Sequence, residues 1–238
     1  MQKIAARMRA QNQMRAATEP YVAYGSTQEL FKICSQFGSY TMPTLKDGES
    51  KAVTATGEEL GTPSPGSWYE VLDIKPTFNS WAQVAFIHMW LLTVRLRMFP
   101  AEHSKHWHQN LLDHFSFAAE DRMATLHGIE VRSARNKYLK DLFVQWRGVL
   151  AAYDEGFIKG DAVMGAAVWR DIFGGREDVD AVQIAMVVGW MRRSLMQLDK
   201  MTNTDIAGGT LKFPDLRGEK DGVLSQSKGV TEPLSETA

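Results

Sequence analysis

Between Arg132 and Gly175 the apolar residues keep helical time, and this stretch constrains the fold more than any other. Leu139, Leu142, Phe143, Trp146, Val149, Leu150 and Tyr153 stand at i, i+3, i+4, i+7, i+10, i+11 and i+14, which gathers them on one face of an α-helix. Arg135, Lys137, Lys140 and Arg147 fall off that stripe and give the helix a basic solvent side. Tyr153-Asp154-Glu155-Gly156 reads as its end, with Gly156 at the left-handed position that closes a helix. Carboxylates there meet the negative end of the helix dipole, so Asp154 and Glu155 are expected to serve something other than helix stability. Gly160-Asp161 opens a second helix, Asp161 as N-cap, running from Ala162 to Phe173 and stopped by Gly174-Gly175. Val163, Met164, Ala166, Ala167, Val168, Trp169, Ile172 and Phe173 make this second helix apolar nearly all round. Such a hairpin cannot stand alone; it demands further helices to cover it.

The chain supplies them. Ser26-Thr27-Gln28-Glu29 has the capping-box form ahead of Leu30, Phe31, Ile33, Cys34 and Phe37, with Gly38 as the stop. Phe78 to Phe99 is the most hydrophobic segment, free of Asp, Glu, Lys and Arg until Arg95. Asn79, Ser80, Gln83, His88 and Thr93 interrupt it, which favours a central buried helix over a membrane span, with His88 a core histidine. Ala101 to His127 carries Leu112, Phe115, Ala119, Met123 and Leu126 as a buried stripe, with Gly128 after it. Asp178 or Asp180 caps a last long helix that ends near Met201, with Ile184, Val187, Val188, Met191, Leu195 and Leu198 on one face and Arg192 and Arg193 outside it. Elsewhere periodicity fails. The Thr-, Gly-, Ser- and Pro-rich stretch from Ser39 to Pro76 reads as a long loop outside the core, and residues 202–238 as a flexible tail. The fold class is therefore all-α: a single compact helical domain of about five to six helices, with an N-terminal helical extension and flexible termini.

Composition narrows the function classes. A net charge of −1 argues against a bulk nucleic-acid binder, although local basic faces remain. The single cysteine, Cys34, excludes an internal disulfide and a cysteine metal cluster. No phosphate-cradling glycine loop, Gly-x-Ser-x-Gly, Cys-x-x-Cys or His-Glu-x-x-His occurs. No catalytic residue, metal or cofactor is expected. The alternative is a helical metal-dependent enzyme using the His-rich helix 101–127 through His103, His106, His108, Asp113 and Glu120, although metal-binding helical spacings are absent. The first 20 residues hold Lys3, Arg7, Arg9 and Arg15 before Glu19, which suits either a transit-peptide remnant or a basic N-terminal helix.

Several short motifs follow one another along the chain: Asn79-Ser80-Trp81, His88-Met89-Trp90, Asp113-His114-Phe115, Glu120, Arg122-Met123 and Gly128, then Lys137-Tyr138-Leu139-Lys140-Asp141, Arg147-Gly148, Tyr153-Asp154-Glu155-Gly156 and Gly160-Asp161. Ala167-Val168-Trp169-Arg170, Phe173, Arg192-Arg193 and Leu198-Asp199 continue the series. In this order they resemble one family, the ubiquinol–cytochrome c reductase chaperones, and Tyr21 to Gly25 looks like its fungal branch. The resemblance covers residues 76–201, which are read as the chaperone domain, preceded by a leader over 1–20 and a short helix with a loop over 21–75. The family's precursors usually carry a longer leader than the 20 residues ahead of Tyr21 here.

The resemblance implies an assembly factor for cytochrome b, peripheral to the matrix side of the mitochondrial inner membrane. It implies a heterodimer with a second small assembly factor near the mitochondrial ribosome tunnel exit. There the pair would support translation of newly synthesised cytochrome b and hold it. Lys137, Lys140 and Arg147 are expected to meet ribosomal RNA or an acidic partner. Tyr153, Asp154, Glu155, Trp169 and Arg170 are expected to form a partner contact or a lock at the hairpin joint, Asp154–Arg170 being one possible ion pair. Met89, Trp90, Met98, Trp107, Met164, Trp169, Met186, Trp190, Met191 and Met196 could give a client an adaptable apolar surface.

Overall fold

The computed structural model of the chain describes residues 2–44 and 51–226, with side chains over 18–44 and 51–225. Lys3, Arg7, Arg9 and Arg15 of the leader lie outside the described side chains. The fold is all-α, as the periodicities require. In chain order it comprises α1 (Gln2–Ser35), the two-residue strands β1 (Tyr40–Thr41) and β2 (Thr62–Pro63), α2 (Tyr69–Leu72), α3 (Phe78–Leu96) and α4 (Ala101–Thr125). There follow α5 (Arg132–Lys159), α6 (Asp161–Phe173), α7 (Ala181–Lys200), α8 (Asn203–Ala207) and α9 (Glu219–Gln226).

α3 is the axis. Thr77 and Ser80 cap its start reciprocally: Ser80 N–H donates to Thr77 Oγ1 at 3.2 Å, and Thr77 N–H to Ser80 Oγ at 2.9 Å. Every residue from Trp81 to Thr93 is buried, because α1, α4, α5, α6 and α7 all pack on it. No helix among the described residues is long and apolar enough to cross a membrane. His88 is indeed a core histidine. It lies among Phe37, Trp68, Trp190 and Phe213, ring centroids 4.6–4.9 Å away, with Nδ1 2.7 Å from the Val84 carbonyl. Burial pushes its pKa down to about 3, so the ring is neutral.

α7 begins as expected, with Asp180 accepting from Val182 N–H, and Gly174 (φ 64°) ends α6. Three local expectations are corrected. Ser26 does not start a helix: α1 runs through it, Ser26 Oγ donates to the Ala207 carbonyl at 2.6 Å, and Glu29 pairs with Lys32. The 39–75 loop is not outside the core. Tyr40, Trp68, Tyr69, Leu72 and Ile74 join it, and the Tyr40 hydroxyl, His127 and Glu59 form a chain of 2.6 Å contacts that ties the loop to the end of α4. The segment after Thr202 is not a free tail either. Ile206, Leu211, Phe213 and Leu216 are core residues, Trp190 Nε1 donates to the Pro214 carbonyl at 2.8 Å, and Arg193 pairs with Glu219 at 2.9 Å. In both segments the buried residues come from elements of two to five residues and from the irregular backbone between them, too short to leave a period in the sequence. Residues 227–238 of that expected tail lie outside the described residues.

Candidate partner-binding surface

α5 uses one narrow seam for the core. Leu142, Trp146, Val149, Tyr153 and Gly156, spaced by three or four, are its buried residues. Lys137, Lys140 and Arg147 are exposed on the remaining surface, with Val144 (68% exposed) between the last two in sequence and Ile158 (83% exposed) further along. A Cβ built on Gly148 would meet nothing within 4 Å. The free side of α5 is thus basic, apolar and open at once.

The hairpin joint lies later than its sequence indicates. α5 continues to Lys159, and the turn is at Gly160, whose φ of 107° suits glycine alone. Gly156 sits inside the helix because a Cβ there would come within 2.6 Å of Met164 Cα on α6; it permits a close helix crossing and does not close the helix. Asp161 is the first residue of α6, not its cap, and pairs with Arg192.

Asp154 does not pair with Arg170. Arg97 donates to it through Nη1 (2.9 Å, Oδ1) and Nη2 (2.8 Å, Oδ2), and Trp90 Nε1 adds a third bond to Oδ1 at 3.0 Å. The carboxylate therefore bolts α5 to the C-terminal end of α3. Burial alone would raise its pKa; the bonds from Arg97 and Trp90 outweigh burial and hold it below the usual carboxylate range. Arg170 pairs instead with its neighbour Asp171 at 2.7 Å, and Glu155 with Lys159 at 2.6 Å. Tyr153 is fully buried beside Trp90, and desolvation raises its pKa well above that of free tyrosine. Trp169 remains 37% exposed, its Nε1 donating to the Arg176 carbonyl at 2.6 Å. So Lys137, Lys140, Arg147, Glu155, Trp169 and Arg170 reach solvent, while Tyr153 and Asp154 hold the scaffold beneath them.

α6 is less enclosed than its composition suggests, since Ala162, Ala166 and Trp169 stay exposed. Of the methionines and tryptophans read as adaptable surface, Met98, Trp169 and Met196 are exposed; Met89, Trp90, Trp107, Met164, Met186, Trp190 and Met191 are core. Phe157 and Ile158 belong to the exposed apolar surface too. Carrying the helical period past Gly156 puts Ile158 on the side of Lys140 and Arg147, whereas Phe157, four residues after Tyr153, continues the apolar stripe and is left exposed only by the packing at that end.

The histidines of α4 disperse. His103 is 3.5 Å from Glu19, and His106 faces solvent. His108 meets the Ser104 and Thr93 carbonyls, and His114 donates to the Tyr24 carbonyl. Asp113 accepts from Gln109, and Glu120 pairs with Arg135. Among the described residues no three His, Cys, Asp or Glu side chains stand together as a metal site, so the enzyme alternative has no assembled centre there.

Residues 70–213 match the family described as Ubiquinol-cytochrome C chaperone. That span takes in the packed segment through Phe213 as well as the α5–α6 hairpin. The chain is 36% identical over 157 residues to Protein CBP3, mitochondrial, of Saccharomyces cerevisiae, covering 64% of this chain and 46% of the relative. It is 28% identical over 137 residues to Ubiquinol-cytochrome c reductase complex assembly factor 1 of Drosophila melanogaster, covering 57% and 52%. It thus spans about half the length of the curated relatives it matches. The fold is similar to the crystal structure of the Cbp3 homolog from Brucella abortus, with a TM-score of 0.61, 12% identity, and coverage of 87% of this chain and 97% of that one. With the family match extending over more than half of its residues and over the helices that build its core, the chain belongs to the ubiquinol–cytochrome c chaperone family.

Proposed function

We propose that this chain is an assembly chaperone for ubiquinol–cytochrome c reductase. It binds newly synthesised cytochrome b together with a second small assembly factor, near the tunnel exit of the mitochondrial ribosome, and supports translation from the matrix side of the inner membrane as a peripheral protein. Membership in the family and the names of its relatives support the class of activity. The observation that carries the contact itself is the free side of α5, where Lys137, Lys140 and Arg147 accompany exposed Val144 and Ile158. Cations with an apolar interval suit a polyanion or an acidic, partly apolar helix. Asp154, Tyr153 and the Gly156 crossing hold that face rigid against the core, while Glu155, Trp169 and Arg170 extend it around the joint.

Replacing Lys137, Lys140 and Arg147 together by Glu leaves the fold intact, because all three are exposed. Co-sedimentation with mitochondrial ribosomes should fall by about tenfold or more, and the wild-type association should weaken steeply with salt. Retention by the triple variant at high salt overturns the α5 contact. Normal complex III levels in cells lacking the chain overturn the chaperone reading as a whole.

A further inference from the structure

The outward stripe of α5 is uncovered among the described residues. Val144, Gly148, Ala151 and Ile158 stand at i, i+4, i+7 and i+14, which places them on one line along the helix, and all four are exposed. From Lys137 to Ile158 the stripe runs about six turns, roughly 32 Å. Gly148 is its unexplained member. Glycine inside a helix is unfavourable relative to alanine, and two ordinary reasons for keeping one are absent here. Its φ is not among the positive values of the chain's glycines, and a Cβ built on it would meet nothing within 4 Å. Gly156 shows the contrast, since there the missing side chain lets Met164 of α6 approach. Gly148 offers the same close approach on the uncovered side of α5, to a molecule outside this fold.

The charges beside the stripe select the kind of molecule. Glu155 pairs with Lys159, Arg135 with Glu120 and Asp154 with Arg97. Lys137, Lys140 and Arg147 are exposed and in no ion pair among the described residues, and Asp141 is the one carboxylate of α5 left unpaired with them. The unpaired charge is therefore net positive, and acidic groups on the incoming molecule answer it. An RNA backbone would answer the cations too, but it would leave Val144, Ala151 and Ile158 facing phosphates. An α-helix with an apolar stripe and acidic flanks uses the cations, the apolar line and the bare glycine together.

We infer that this stripe seats an α-helix of a partner protein, apolar along its contact line and acidic on its flanks, with the two helices closest at Gly148. Side chains at the contact set how near two helix axes come, and a position without one allows the nearest approach. Val144 and Ile158 anchor the two ends of the contact, while Lys140 and Arg147 line one edge of it and meet the carboxylates. The inference rests on the proposed α5 contact and narrows it to one class of partner.

The test uses the full chain and a fluorescent synthetic helix of about six turns, with Ala and Leu on one stripe, Glu along both flanks and Gln elsewhere, followed by anisotropy. A second peptide carries Lys in place of Glu, and a third probe is a short RNA hairpin. The wild-type chain should bind the Glu peptide at least about tenfold more tightly than the Lys peptide. Gly148→Gln should weaken the Glu peptide about tenfold and raise the melting temperature by about 2–4 °C, because the added side chain obstructs the crossing and favours the helix. Equal binding of the two peptides, or binding of neither, overturns the inference, and so does Glu-peptide binding that Gly148→Gln leaves unchanged. RNA that binds more tightly than the Glu peptide and is indifferent to Gly148→Gln also overturns it, while leaving the α5 contact standing as a polyanion site. That contact is decided separately by ribosome association of the Lys137, Lys140 and Arg147 triple variant. In cells, normal complex III levels with Gly148→Gln overturn the crossing and leave the chaperone reading standing, since that reading is decided by cells lacking the whole chain.

Discussion

α3 and α5 are both long helices with large apolar residues, yet they stand at opposite ends of a range. α3 is enclosed by five other helices, so hydrophobic residues occur all round it and its sequence shows little face preference. α5 touches the core along one seam and leaves Tyr138, Phe143, Val144, Phe157 and Ile158 each at least 46% exposed. A helix enclosed on every side spends its apolar groups on packing. One that keeps apolar and basic groups outside its seam leaves them on the surface, where the proposed function puts the partner. The buried axis and the exposed apolar surface thus belong to separate helices, joined by the Asp154–Arg97–Trp90 bolt.

The sharpest way to break this contrast is to truncate one large side chain on each helix. Trp81 on α3 is fully buried and stacks on Phe115 at 5.4 Å, with the Arg122 guanidinium 4.6 Å from its ring. Trp81→Ala should cost about 3–5 kcal/mol, and Val144→Ala on α5 no more than about 0.5 kcal/mol, by urea unfolding. Comparable losses would erase the distinction between the helices.

Two glycines of α5 sharpen it next. Gly156 faces Met164 Cα, whereas Gly148 faces open space. Gly156→Ala should destabilise by about 1–3 kcal/mol as the α5–α6 crossing is forced apart, and Gly148→Ala should stabilise by about 0.5–1 kcal/mol through helix propensity. Thermal melts of the two variants shifting in the same direction would remove the crossing from the account.

The smallest effect concerns pH and belongs to α3. His88 has a folded pKa of about 3 against 6.5 for the free side chain. The unfolded state then binds the extra proton between these values, so His88 favours folding fully above pH 6.5 and progressively less as pH falls toward 3. From pH 7 to pH 5 this single group should remove about 2 kcal/mol of stability. His88→Phe should show a flatter decline than wild type over that interval; parallel declines would mean that the ring does not stay neutral in the folded chain.

The exposed face of α5, the proposed contact surface, is partly legible in the sequence. Lys137, Lys140 and Arg147 fall off the α5 stripe in the sequence and are exposed in the structure. Asp154 and Glu155 drew notice as carboxylates at a helix end; they lie within the helix, and the role of Asp154 depends on Arg97, 57 positions earlier. No local pattern announces such a partner. Gly156 reads in the sequence as the end of α5, which leaves Ile158 outside the helix, and this difference from the structure has a physical source. A glycine that permits close helix packing and one that permits a left-handed turn are the same letter, and only Gly160 has the positive φ.

By itself the sequence determined the helical class, the buried character of α3, the seam of α5, the stop after α6 and an aspartate cap on α7, at Asp178 or Asp180. Each of these depends on near neighbours and on a period that the chain carries with it. The tertiary structure alone decided that Tyr40, Trp68, Leu211 and Phe213 complete the core, that Asp154 bonds α3, and that Met98, Phe157 and Met196 converge around Arg95. Those outcomes join residues far apart in the chain, and what selects them is the mutual fit of finished elements, which no local window of sequence contains.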